Sequence, residues 1–203
     1  MSVNFLGILI DLDLHYIAPE TLGNDAPDSR GSLRKLWWPK VMTDPGLFNA
    51  TLLISASHQA SITSMRRNRI LIEELRCNTI ASVNESMADP NPRLSDVNIG
   101  AILTLGSWEF YYGDPNAYKM HMSGLQTMIA MRGGLEKGRF QDILVKLILS
   151  VGHDLTLFAG IPPFFDTVRS SSGHASKLIL PIADSLLPGF ARLDKINLPR
   201  RSS

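Results

Sequence analysis

The stretch from Asp114 to Gly134, DPNAYKMHMSGLQTMIAMRGG, constrains the fold of this chain more than any other. Asp114 before Pro115 reads as an N-cap followed by a first helical residue. The carboxylate accepts from otherwise unpaired amides, and proline has no amide to leave unpaired. At 100° per residue, Tyr118, His121, Met122, Leu125, Met128, Ile129 and Arg132 share one side, and Lys119, Ser123, Gln126 and Thr127 the other. Gly133 and Gly134 supply a left-handed stop. Gly124 borders the stripe in mid-helix, a position that costs about 1 kcal/mol against alanine. It is expected where another backbone comes close.

Similar signals place four more helices. Asp44 and Pro45 repeat the cap-plus-proline pair, and no Asp, Glu, Lys or Arg follows until after Met65. A membrane span is excluded there by Asn49, His58, Gln59 and several hydroxyls, because unpaired polar groups are costly in hydrocarbon. A buried helix fits better, with Leu47, Thr51, Ile54, His58 and Ile62 on one side and small residues elsewhere admitting close neighbours. From about Arg66 to Met87 the apolar line is Ile72, Leu75, Thr79, Val83 and Met87, with Arg69 and Glu73 one turn apart. Cys77 in this helix is expected to be a buried, inert thiol. After DPNPRL, Ser95 caps a helix over 96–111 that is apolar on two sides and must sit between neighbours. Its strips are Ile99, Ile102, Leu103, Gly106 and Phe110, and Val97, Ala101, Thr104 and Trp108. Asn98 with Glu109, and Asp96 with Ser107, separate them. Arg139 to Ala159 is the most apolar segment, with Phe140, Ile143, Leu144, Leu147, Val151, Leu155 and Phe158 opposed to Asp142, Lys146 and His153.

Residues 1–35 read as an apolar piece and a loop, GNDAPDSRGS. VNFLGILI is too short, and lacks the basic flank, for a signal peptide. Residues 36–168 form the helical domain, entered at Trp37 and Trp38, whose rings anchor it to the core. Residues 169–203 hold a serine-rich loop, a short partial helix and a basic tail. The fold class is all-α: an irregular multi-helix array.

No chemistry of a recognised kind emerges. The five histidines, His15, His58, His121, His153 and His174, form no metal-binding pair. His58 and His121 sit on apolar helix faces, where hydrogen-bonded core roles are the default. Glu109 reads first as a buried partner to a basic residue, and second as a shifted acid. Gly133 and Gly134 follow a helix rather than precede one, so they cradle no phosphate. Met120, Met122, Met128 and Met131 read as core filling rather than as an adaptable pocket. The RRNR cluster at 66–69 reads as a solvated helix start rather than a nucleic-acid patch. No catalytic, cofactor-binding or metal residues are assigned.

The wording of these segments adds a family. HMSGLQTMIAMRGGL, with Tyr118, His121, Gly124, Leu125, Arg132, Gly133 and Gly134, resembles the signature of the fungal-specific transcription factor domain. Tyr118 stands where that family often has tryptophan. WWPKVMTDPGLFNATLLISASHQAS, SDVNIGAILTLGSWEFYYGDPNAY with Glu109 and Gly113, GIPPFFD and LLPGFARL resemble its flanking landmarks, in order. The resemblance implies a helical regulatory domain of a zinc-cluster regulator, located in the nucleus, with roles in effector sensing, restraint or dimer contact. It also implies an incomplete copy of a larger helical domain, since the family continues beyond LLPGFARL. The family's usual zinc cluster needs six cysteines, and this chain has one, Cys77. With a net charge of +1, direct sequence-specific DNA binding is not expected. Protein partners or self-association, and a small-molecule effector, are. The alternative is a small helical enzyme built on His121 and Glu109. Two local expectations complete the reading. Arg132 should cap carbonyls at its own helix end and lie near Phe140. Asp154 should be apart from Arg132 and meet the start of the Asp114–Gly134 helix or a residue on an earlier helix, with His121 a candidate.

Overall fold

The computed structural model describes residues 33–63, 69–89 and 94–159. A π-helical turn, Leu33–Trp37, runs into α1 (Trp38–Val41). Then come α2 (Pro45–Thr63), α3 (Arg69–Ala88), α4 (Asp96–Tyr112), α5 (Pro115–Met131), α6 (Gly134–Lys137) and α7 (Asp142–Ala159). There is no strand among the described residues, and the class is all-α.

α4 is the axis. It touches α2, α3, α5 and α7, and even the residues read as polar separators, Asn98, Ser107 and Glu109, are buried. The two-sided apolar pattern therefore understated its enclosure. Its N-cap is Ser95, whose hydroxyl accepts from the Asn98 amide.

α2 shows how a helix with many hydroxyls can be buried. Thr51 Oγ1 donates to Leu47 O and Ser55 Oγ to Thr51 O; on α3 and α4, Thr79, Thr104 and Ser107 donate one turn back in the same way. Each hydroxyl is satisfied within its own helix, leaving a short side chain against which a neighbour can close. The expected stripe on α2 is too narrow. Leu47 and Thr51 are buried, but Ile54 and His58 are half-buried, while Leu52, Leu53 and Ala56 are buried too. The reason is that α2 faces two helices. Leu47 joins a large core with Ile99, Leu125, Ile129, Leu144 and Ile148, whereas Leu52, Leu53 and Ala56 join a second one with Leu75, Leu105 and Trp108.

α5 has the stripe expected of it. Tyr118, Met122, Leu125, Met128 and Ile129 are buried, and His121 and Arg132 are half-buried. Asp114 caps it, accepting from the Asn116 amide at 3.0 Å. Gly133 and Gly134 take φ of 102° and 80° and stop it. Trp37 is buried and Trp38 packs against the same core, as anchors should. α7 starts at Asp142 rather than Arg139, because Arg139 has a left-handed φ of 49°. Phe140, Ile143 and Leu144 are buried as expected, Leu147 and Val151 only half, and Ile148 and Leu149 fully.

Three expectations are corrected. Cys77 is exposed rather than buried, since α3 lies at the surface and turns Leu75 and Thr79 inward. Gly124 faces open space: a Cβ built there meets nothing within 4 Å, so no backbone closes on it. Met122 and Met128 fill the core, but Met120 and Met131 are 65% and 57% exposed, being on the opposite side of α5. The side chains of Asp154, Leu155 and Phe158, the residues 66–68 of the RRNR cluster, and the landmarks GIPPFFD and LLPGFARL lie outside the described residues.

Candidate functional site

Two polar clusters interrupt the apolar interior, and both use residues from the stretches that carry the resemblance. The first is centred on Glu109, near the end of α4 and 1% exposed. Its Oε1 accepts from Arg76 Nε at 2.9 Å and Nη2 at 2.7 Å, and its Oε2 accepts from the Asp114 amide at 2.8 Å. One carboxylate thus ties α3, the end of α4 and the start of α5 together. Gly113 is required for this. A Cβ there would overlap Glu109 Oε2 and stand 2.8 Å from Glu109 Cα. The guanidinium of Arg76 also lies 5.4 Å from the centre of the Trp108 ring, and Trp108 Nε1 donates to Ser57 Oγ at 2.7 Å. α2 is joined to the cluster by that bond.

His121, on the adjoining turns of α5, packs over Gly106 of α4. Burial holds its imidazole below the ordinary histidine range; the Glu109 charge opposes that shift and the Arg76 charge adds to it. The neutral form is favoured, and His121 sits half-buried at the edge of the core. Further along, His58 Nδ1 and the Tyr112 hydroxyl are 3.3 Å apart. Burial pushes the Tyr112 phenol up to about 12, partly offset by a hydrogen bond with Ser61.

The second cluster is centred on Arg132. Its Nε donates to Gly138 O at 2.6 Å, Nη2 to Arg139 O at 3.1 Å, and Nη1 to Leu94 O at 3.0 Å and to Asp96 Oδ1 at 2.5 Å. The guanidinium lies 4.1 Å from the centre of the Phe140 ring. Asp96 Oδ2 in turn accepts from the Gln141 amide at 3.2 Å. The expected approach of Arg132 to Phe140 is present. The capping expectation is corrected: the carbonyls it reaches belong to the link after α6 and to the segment before α4, not to the end of α5. The reason is that Gly133 and Gly134 turn the chain back beneath the side chain, so foreign carbonyls present themselves first. Asp154 is not described, and its relation to Arg132 and His121 with it.

Chemically these clusters are saturated. Both Glu109 oxygens and every Arg132 nitrogen have hydrogen-bond partners, a poor starting point for proton transfer. The pairing of His121 and Glu109 as an acid–base couple finds no hydrogen bond between them. Among the described residues no three His, Cys, Asp or Glu side chains are grouped to hold a metal, and no helix is long and apolar enough to cross a membrane. Sequence reasoning expected a basic partner for Glu109 but did not identify Arg76, and it missed Asp96 as the partner of Arg132. Glu109 and Arg132 stand out as charged residues on apolar helix faces, but Arg76, beside Glu73, Glu74 and Asn78, and Asp96, between Ser95 and Asn98, carry no such signal.

Comparison with family models matches residues 14–180 to the fungal specific transcription factor domain. No curated protein and no solved structure matches the chain.

Proposed function

From the premise that this chain belongs to the fungal-specific transcription factor domain family, which gives it a part in transcription regulation, we propose that it is a non-enzymatic regulatory helical domain acting in the nucleus. The match over residues 14–180 carries this reading. The polar clusters support it, because they lock helices together rather than expose reactive groups. In this reading regulation is exerted through protein contact, either self-association or a partner, and can be modulated by a small-molecule effector. Exposed apolar side chains, Ile70 at 82%, Met120 at 65% and Met131 at 57%, are the surface such contacts would use. DNA would be reached through another module, since one cysteine cannot build a binuclear zinc cluster.

The test is to tether the full chain to a heterologous DNA-binding domain upstream of a reporter in a fungal cell. A reproducible change in reporter output, in either direction, is expected. In parallel, labelled duplex libraries are titrated with the untethered chain at moderate salt. An inert tethered chain, or a reproducible nanomolar sequence preference of the untethered one, refutes the proposal.

A further inference from the structure

The segment Leu33–Val41 is held to the body in a way that contrasts with α3, α4 and α5. Those helices are tied by the Glu109 and Arg132 clusters. In Leu33–Val41 the inward groups are apolar: Trp37 and Val41 are 6% and 1% exposed. The hydrogen bonds around it are local. Thr43 Oγ1 donates to Pro39 O and Lys40 O, and the amides of Met42, Thr43 and Asp44 donate to Trp38 O and Lys40 O. On the outside, Leu36 and Met42 are 57% and 53% exposed.

Trp37 has a shaped seat. Its Cζ2 and Cη2 lie 2.6 Å and 2.7 Å from where a Cβ on Gly100 would stand, and Leu47 Cδ1 lies 3.5 Å from the same point. The indole therefore rests on bare α4 backbone, in a notch that any larger residue would fill. The π-helical turn that carries the ring also lies against α7, and Trp37 shares a core with Phe140, Ile143 and Leu144. α4 has contacts of its own with α2, α3 and α5, apart from the ring. α7 loses one of its supports if the ring leaves, keeping the Arg132 cluster at its start.

We propose that Leu33–Val41 is a releasable strap whose plug is Trp37 in the Gly100 notch, and that seating the plug steadies α7 against α4. Among the described side chains, unseating it exposes apolar surface but breaks no ion pair and strands no buried polar group. Such an opening is local, unlike loss of α3 or α5, which would strand charges. Residues 1–32 precede the strap in the sequence. This inference does not depend on the transcriptional reading above.

The test is amide hydrogen exchange on the full chain, comparing wild type with Gly100→Ala, Trp37→Leu and the double variant. In Gly100→Ala the new methyl stands where the ring lies, and tryptophan emission reports its departure. Exchange over residues 36–43 and 143–149 is expected to rise about tenfold or more, while that over 47–60 and 99–109 stays within about threefold of wild type. The double variant sets a smaller side chain over the methyl and should return residues 143–149 to within about threefold of wild type. If Gly100→Ala does not fold, Trp37→Leu, which removes the ring without overfilling the notch, is read by the same criteria with a smaller rise in exchange. Equal loss of protection in every helix would make Trp37 ordinary core and overturn the proposal. So would an unchanged α7 with the ring displaced, or a double variant whose α7 stays open.

Discussion

Glu109→Gln is the sharpest perturbation of the interior, because it keeps the shape while removing the negative charge paired with Arg76 and one of the two acceptor oxygens. Oε1 accepts two N–H groups from Arg76 and Oε2 accepts the Asp114 amide. Both ends must therefore be acceptors, and glutamine has one acceptor and one donor. If its oxygen turns to Arg76, its NH₂ faces the Asp114 N–H, and a buried donor is left without an acceptor. If it turns the other way, its NH₂ faces the guanidinium. Hydrogen bonds to a charged group contribute about 1.5–3 kcal/mol, and an orphaned buried donor costs about 1–3 kcal/mol. Arg76 is 31% exposed and can recover part of its loss from water, so its share must be discounted. The expected net loss is about 2–4 kcal/mol. Urea unfolding followed by tryptophan emission measures it, since Trp108 lies against the cluster. A double-mutant cycle with Arg76→Met should give a coupling of about 1–3 kcal/mol. A Glu109→Gln chain within about 0.5 kcal/mol of wild type, the range of ordinary surface substitutions, would refute the argument.

Arg132→Lys keeps the charge but not the fork, so it cannot serve Gly138, Arg139, Leu94 and Asp96 together; a loss of about 2–3 kcal/mol in the same urea assay is expected. Gly124→Ala should raise stability by up to about 1 kcal/mol, because the added methyl enters open space on an exposed helical turn; a lower urea midpoint would contradict it. His121 gives an acid dependence. Its folded pKa is depressed, so the unfolded chain binds more protons below the ordinary value near 6.5; its contribution is full above that pH and is lost as pH falls toward the folded value. His121→Gln should therefore flatten the decline in melting temperature between pH 7 and pH 5, and an unchanged slope would count against this.

How much of this could be read from the chain differs by the kind of signal. Caps and stops are local chemistry, so Ser95, Asp114, Gly133 and Gly134 act where the sequence places them. One-sided helices are legible for the same reason, and the apolar members of the α5 stripe are all buried, with His121 and Arg132 half-buried at its edges. Helices with several partners are not, because periodicity reports a single direction. α2 splits its apolar residues between two cores, and α4 buries even its polar strips. Cys77 illustrates the opposite error: a residue type that usually hides is exposed where the helix lies at the surface. Long-range pairing is the least legible. Arg76 meets Glu109 and Arg132 meets Asp96 across 33 and 36 residues, and nothing local to any of the four names its mate.

The signature stretch gains a physical meaning from this. Gly133 and Gly134 reverse the chain so that the carbonyls of Gly138 and Arg139 come under Arg132. Arg132 then reaches Leu94 and Asp96 at the start of α4, while Glu109 and Gly113 fasten the other end of α4 to Arg76 and Asp114. The same helix is thus pinned at both ends, by an arginine at one and a carboxylate at the other, with the α5 stripe packed between. A stretch whose inward residues are engaged in this way marks a fold rather than a ligand. What distinguishes one regulator from another has to be written on groups the interior does not constrain. On α5 those are Met120, Ser123, Gly124, Thr127 and Met131, which point away from the core. Substitutions on that outward face leave the stripe and both polar clusters intact, whereas those in the stripe disturb the core.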